Sequence, residues 1–147
     1  MMVFNATSIA ASWQSPKTAE EFNNRGLERQ NNGDLDGAIA DYTHALALKP
    51  RPATQAVIYN NRANAFMAKN DFAAAAADYG SAIQLQPTNF ENYYNRGIAS
   101  YNARNLDGAI NDFSKAIELQ PGEVGAEAEV RADAEGDVRV GVAAQVE

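Results

Sequence analysis

The sequence predicts an all-α fold of three helical hairpins stacked in chain order, and three observations predict it. Three segments align on one another, Ala19 to Pro52, Ala56 to Asn89 and Phe90 to Glu123, and a period of this length is the mark of a repeat architecture. Within each segment, apolar and small residues recur at i, i+4 or i, i+7, which puts them on one stripe of a helix. Each segment is also broken once in its middle by turn-forming residues and ends on a proline, Pro50, Pro87 or Pro121.

Residues 1–17 precede the repeats. They carry no positive side chain before Lys17 and only a broken apolar stretch, Ile9-Ala10-Ala11, so they make a poor secretory signal and are expected to form an irregular leader. Two other readings stay open, a remnant of an export segment and a short helix that packs Trp13 on the first repeat. Asn5-Ala6-Thr7 fits the N-glycosylation pattern, which has meaning only in an exported chain.

Residues 18–121 hold the repeats (19–52, 56–89 and 90–123). Thr18 with Glu21, and Thr88 with Glu91, have the spacing of a capping box and predict helix starts. The first helices carry Phe22 with Gly26, Tyr59 with Ala63 and Phe66, and Tyr93 with Gly97 on one stripe. Gly33-Asp34, Asn70-Asp71 and Asn105-Leu106 then predict the chain reversals, because Gly or Asn accepts positive φ and Asp caps the next helix. The second helices repeat Ala38-Ile39-Ala40-Asp41-Tyr42 as Ala75-Ala76-Ala77-Asp78-Tyr79 and Ala109-Ile110-Asn111-Asp112-Phe113, followed by Ala45, Ala82 and Ala116. They run on through Leu48, Leu85 and Leu119 to the prolines, which stop them. A glycine or alanine facing an alanine lets two backbones approach closely while aromatics fill the flanks. The first proline-to-proline interval is three residues longer than the second, and the surplus is assigned to the connection 50–55, where a loop absorbs it at small entropic cost.

The tail, residues 122–147, holds most of the acidity, with Glu123, Glu127, Glu129, Asp133, Glu135, Asp137 and Glu147 against Arg131 and Arg139. No capping residue opens it, and Val138, Val140 and Val142 alternate in a strand-like way. At best a weak capping helix within about Glu123 to Glu135 is expected, with disorder after Gly136. This leaves the edge around Ile110, Phe113 and Ile117 incompletely covered, so the chain is expected to be a monomer or to self-associate weakly through its last repeat. A structural, self-associating repeat unit is therefore the alternative to a binding module.

The units resemble tetratricopeptide repeats. The family's order of aromatic, small residue, alanine, aromatic, alanine and proline is met by Phe22, Gly26, Ala38, Tyr42, Ala45 and Pro50. Tyr59, Ala63, Ala75, Tyr79, Ala82 and Pro87 meet it again, as do Tyr93, Gly97, Ala109, Phe113, Ala116 and Pro121. Arg25, Arg62 and Arg96 stand where the pattern favours leucine, and Ser100 where it favours an aromatic. The recurring Asn24-Arg25, Asn61-Arg62 and Asn95-Arg96 resemble an Asn-Arg-Gly/Ala subclass. The resemblance implies a right-handed superhelical stack with a concave groove, and a non-catalytic scaffold or adaptor that binds an extended peptide or a partner helix there.

The three arginines align with Asp41, Asp78 and Asp112, and each is expected to reach the aspartate of its own or the next unit as a structural ion pair. The expected groove residues are Asn23, Asn24, Leu27 and Asn31 in the first unit, Asn60, Asn61, Asn64 and Met67 in the second, and Tyr94, Asn95, Ile98, Tyr101 and Asn102 in the third. A carboxamide both donates and accepts, so Asn24, Asn61 and Asn95 at one equivalent place could clamp successive peptide groups. Tyr94 and Tyr101 would add apolar area with a polar tip. The plainer reading is that these asparagines are ordinary surface residues. Family members that hold acidic chaperone C-termini use lysines and an arginine on this groove. Only Asn61 matches that constellation here, with Asn23, Leu27, Glu91 and Asn95 in the other places, so a chaperone tail is not the expected partner.

Composition narrows the rest. A net charge of −7 with no basic cluster argues against nucleic acid, whose binding depends on gathered Lys and Arg. No apolar run is long enough to cross a membrane. Cysteine is absent, so no thiolate metal site or disulfide framework exists, and the compartment stays open with the cytoplasm as default. His44 is the single histidine and reads as a surface residue. No phosphate loop, nucleophile elbow or cofactor motif is present, so neither an enzyme nor a cofactor is expected.

Overall fold

A computed structural model describes residues 15–120, 128–132 and 138–142. Six helices run in order, α1 (Ala19–Asn31), α2 (Leu35–Ala47), α3 (Pro52–Ala68), α4 (Phe72–Leu85), α5 (Phe90–Asn102) and α6 (Leu106–Leu119). They pair as three hairpins, α1 with α2, α3 with α4 and α5 with α6, while α2 packs on α3 and α4 on α5. The repeats are thus an all-α stack in chain order.

Small residues set the spacing. Ala38, Ala45, Ala75, Ala82, Ala109 and Ala116 are all fully buried. A Cβ placed on Gly26 would lie 2.6 Å from Tyr42 Cε1, and one on Gly97 would lie 2.7 Å from Phe113 Cε1. Both glycines therefore let an aromatic ring of the second helix lie against the backbone of the first. The core forms two clusters, each spanning a junction between hairpins. Tyr42, Ala38 and Ala45 join Ile58 and Ala65 of α3, and Tyr79, Ala63 and Ala75 join Ala99 of α5.

The helix ends obey the expected chemistry with two exceptions. Thr18 caps α1 in a reciprocal box, its Oγ1 accepting from the Glu21 amide at 3.1 Å while Glu21 Oε2 accepts from the Thr18 amide at 3.1 Å. Asp34, Asp71 and Asn105 cap the second helices. Thr88, however, does not cap α5. Asn89 does, with its side chain accepting from the Glu91 amide at 3.0 Å, since asparagine is the stronger cap and stands directly before Phe90. In the reversals, Gly33 and Asn70 take positive φ as expected, but in the third unit Arg104 (φ 64°) takes it while Asn105 is spent on the cap.

The surplus residues of the first connection are not loop. α3 has 17 residues where α1 and α5 have 13, so the surplus becomes an additional helical turn at the α3 start. Pro52 suits the first helical position, where its missing N–H is not needed. The Gln55 amide donates to the Arg51 carbonyl at 2.9 Å, and Gln55 Nε2 donates to the Pro50 carbonyl at 2.6 Å. With no breaker among Ala53, Thr54 and Gln55, continuing the helix satisfies backbone groups that a loop would leave to water.

The tail also differs from expectation. Instead of a weak capping helix and disorder, its described residues form two strands, β1 (Ala128–Ala132) and β2 (Val138–Val142), paired antiparallel with Val130 opposite Val140. Both lie against α6, on the last hairpin that was expected to be left open. The period-2 valines, which favour a pleated strand, outweigh the weak helical tendency of the acidic stretch. The rest of the tail and the expected leader up to residue 14 lie outside the described residues.

Candidate functional site

Along the seam of each hairpin an arginine of the first helix meets an aspartate of the second, sixteen residues on. Arg25 donates from Nε to Asp41 Oδ2 at 2.8 Å and from Nη2 to Oδ1 at 2.6 Å. Arg62 meets Asp78 at 2.7 and 2.8 Å, and Arg96 meets Asp112 at 2.8 and 2.6 Å, in the same two-pronged geometry. In every unit the partner is the unit's own aspartate. The carboxylates are buried, Asp41 most of all at 1% exposure. The guanidinium lies over an aromatic one turn back, Phe22, Tyr59 or Tyr93, which shields the pair with a cation–π contact. Hydrogen bonding to the aspartate raises each arginine above its ordinary pKa, opposed by the partial loss of hydration. Arg29 adds a second cation to Asp41 at 3.1 Å, and Arg62 Nη1 donates to Thr43 Oγ1 of the preceding hairpin at 3.0 Å. These groups are committed to one another.

The residues expected to line the groove are engaged less uniformly than the sequence suggests. Asn61 Nδ2 donates to Asn23 Oδ1 at 2.9 Å, so one member of the expected row already bridges two hairpins. Asn60 Nδ2 donates to Asn92 Oδ1 at 2.7 Å, and the other atoms of that pair, Asn60 Oδ1 and Asn92 Nδ2, are enclosed without a partner. Asn64 Oδ1 accepts from the Tyr79 hydroxyl at 2.5 Å, and Asn102 Nδ2 donates to its own helix at Ile98 O. Met67 is half-buried against the second core cluster. Asn24 and Asn31 are exposed, and Asn95 and Ile98 are half-buried. Leu27, Tyr94 and Tyr101 are exposed apolar groups, with the Tyr94 ring 5.7 Å from that of Phe113.

Between α1 and the start of α3 lies a cleft of about 400 Å³, lined by Glu20, Asn23 and Asn24 on one side and by Ala53, Thr54, Val57 and Ile58 on the other. Val57 is 51% exposed although it is aliphatic. Of the expected groove residues, only Asn23 and Asn24 line this cleft. Glu20 and Val57 were legible, since each lies four residues before an asparagine of the expected row. Ala53 and Thr54 were hidden because their segment read as loop.

His44 is exposed, with its ring stacked on Phe22 at 5.4 Å and Nδ1 2.8 Å from the Ala40 carbonyl. Among the described residues no group of three or more His, Asp or Glu could hold a metal ion, and no helix is long and apolar enough to cross a membrane.

Three helical hairpins stacked in chain order define the architecture of a protein-interaction module. Models of the tetratricopeptide repeat match residues 22–52, 63–103 and 90–123, together more than half of the chain. The chain belongs to the tetratricopeptide-repeat family. Among solved structures, it is similar to the first such domain of Spaghetti (RPAP3) bound to the HSP90 peptide SRMEEVD, with 29% identity, a TM-score of 0.65, and coverage of 72% of this chain and 82% of that one. The Arabidopsis OM64 domain is 28% identical with a TM-score of 0.63, covering 70% and 83%. The second domain of human RPAP3 in complex with the HSP70 peptide SGPTIEEVD is 27% identical with a TM-score of 0.65, covering 71% and 85%.

Proposed function

We propose that this protein is a non-catalytic adaptor that holds an extended segment of a partner protein along the face shared by α1, α3 and α5. The observation that carries this reading is the α1/α3 cleft, whose size falls in the range of ligand sites and which leaves the aliphatic Val57 open beside the exposed Asn24. Leu27 on α1 and Tyr94 and Tyr101 on α5 are further exposed apolar side chains, outside the cleft itself. The mechanism is passive. Helices locked by the Arg–Asp seams present a pre-formed surface, so binding loses little conformational freedom on the protein side. Carboxamides at Asn23, Asn24 and Asn95 can meet a peptide backbone from either its donor or its acceptor side. The peptide complexes of two similar structures support the same use of the fold.

The test is selection of binders from a displayed library of random peptides on the intact protein, followed by affinity measurement against Val57→Asp. Binders are expected to weaken at least tenfold on this variant, because the charge would be buried against an apolar side chain. Equal binding to both forms would show that peptides sit elsewhere and overturn the groove.

A further inference from the structure

The cleft also carries information about which segments it accepts. Among the described residues, Glu20 is its only ionisable lining residue, is exposed, and makes no ion pair. Glu91 holds the equivalent second position of α5 and is likewise exposed. The arginines of α1, α3 and α5 are all bound to aspartates of the seams, Arg25 and Arg29 to Asp41, Arg62 to Asp78 and Arg96 to Asp112. Lys17 and Arg51 stand at the starts of α1 and α3 and do not line the cleft. The site therefore offers an open aliphatic surface at Ala53 and Val57, with Ile58 buried beneath it, two carboxamides, and at its rim one carboxylate that makes no ion pair among the described residues.

Resting on the proposed groove, we infer that the preferred occupant is an extended peptide with an aliphatic side chain next to a lysine or arginine. The aliphatic group lies on Val57 and Ala53, and the cation meets Glu20. A terminal carboxylate or an acidic run would instead face Glu20 with no lining cation among the described residues to receive it, and like charges across an interface select against a partner more than unlike charges add affinity. The chain thus differs in ligand chemistry from the similar structures that hold SRMEEVD and SGPTIEEVD.

The experiment pans the displayed heptapeptide library on the full chain, on Glu20→Gln and on Glu20→Lys, with folding of each variant checked by circular dichroism. The peptide SRMEEVD with a free C-terminus serves as the acidic probe. On the natural chain, lysine or arginine beside Leu, Ile, Val or Met is expected to be enriched. The best such peptide should weaken about fivefold on Glu20→Gln and further on Glu20→Lys, while SRMEEVD should gain on Glu20→Lys. If the binders are sensitive to Val57→Asp but acidic or unbiased in charge, or if both Glu20 variants keep the same preference, the charge inference is overturned and the groove stands. If no binder responds to Val57→Asp, the groove itself fails and takes this inference with it.

Discussion

Arg62 shows what each seam contributes. Its guanidinium satisfies Asp78, which is almost wholly buried, and the arginine itself is only 19% exposed. Removing it leaves a carboxylate enclosed without a counter-charge. Arg62→Leu is expected to lower unfolding free energy by roughly 2–3 kcal/mol, below the full figure for a completely buried pair because water reaches its rim. Replacing Asp78 by leucine as well should recover part of the loss, and urea melts of both variants would show it. Buried tyrosines give a pH signature. Desolvation pushes Tyr42 and Tyr79 up to about 12, with Asp41 adding to the effect at Tyr42. The folded state therefore keeps protons that the unfolded chain releases near pH 10, and stability is full below that pH and falls between 10 and 12. Urea midpoints at pH 9 and pH 11 should differ, and Tyr42→Phe with Tyr79→Phe should shrink the difference. The Arg–Asp pairs could be read from sequence because both partners recur at one fixed spacing. The turning of Asn61 toward Asn23, or of Asn64 toward Tyr79, could not, because an amide's partner is chosen by side chains that only the packed hairpins bring near.

At the level of elements, the contact between the two rods of a hairpin is set by one small residue. Gly26 lies under the Tyr42 ring, whereas Ala63 fills the same place beside Tyr79 in the second hairpin. Gly26→Ala would gain about 1 kcal/mol of helix preference. It would also force a methyl into the space of a ring that is fully buried and cannot swing away. Overpacking costs about 1–3 kcal/mol, so a net loss of roughly 1 kcal/mol is expected, visible as a lower melting temperature. The hairpins themselves were legible because alanine, aromatic and proline recur in register. The longer α3 was not, since Pro50-Arg51-Pro52 looks like an interruption and only the position of Pro52 at a helix start makes it a beginning. Thr88 misled for a related reason, with an adjacent asparagine competing for the same amides. The tail strands were hinted at by alternating valines, but no repeat stood beside them to fix the reading.

For the molecule as a whole, order in the sequence becomes order in space, each hairpin packed on the next and the last also against the tail strands, and stability is then close to a sum of units and joints. The joints are not equal. Between the first and second hairpins, Asn61 and Asn23 are matched and Arg62 reaches Thr43. Between the second and third, Asn60 and Asn92 share one hydrogen bond and leave an acceptor and a donor shut away from water, each at a cost of about 1–3 kcal/mol. Backbone amides of α5 and α6 should therefore exchange with deuterium sooner than those of α3 and α4 under native conditions, as a cooperative block. Uniform exchange across all six helices would rule out this inequality. The array has a preferred fracture line, and any ligand long enough to straddle it would act as a splint, slowing the detachment of the terminal hairpin in proportion to its own occupancy.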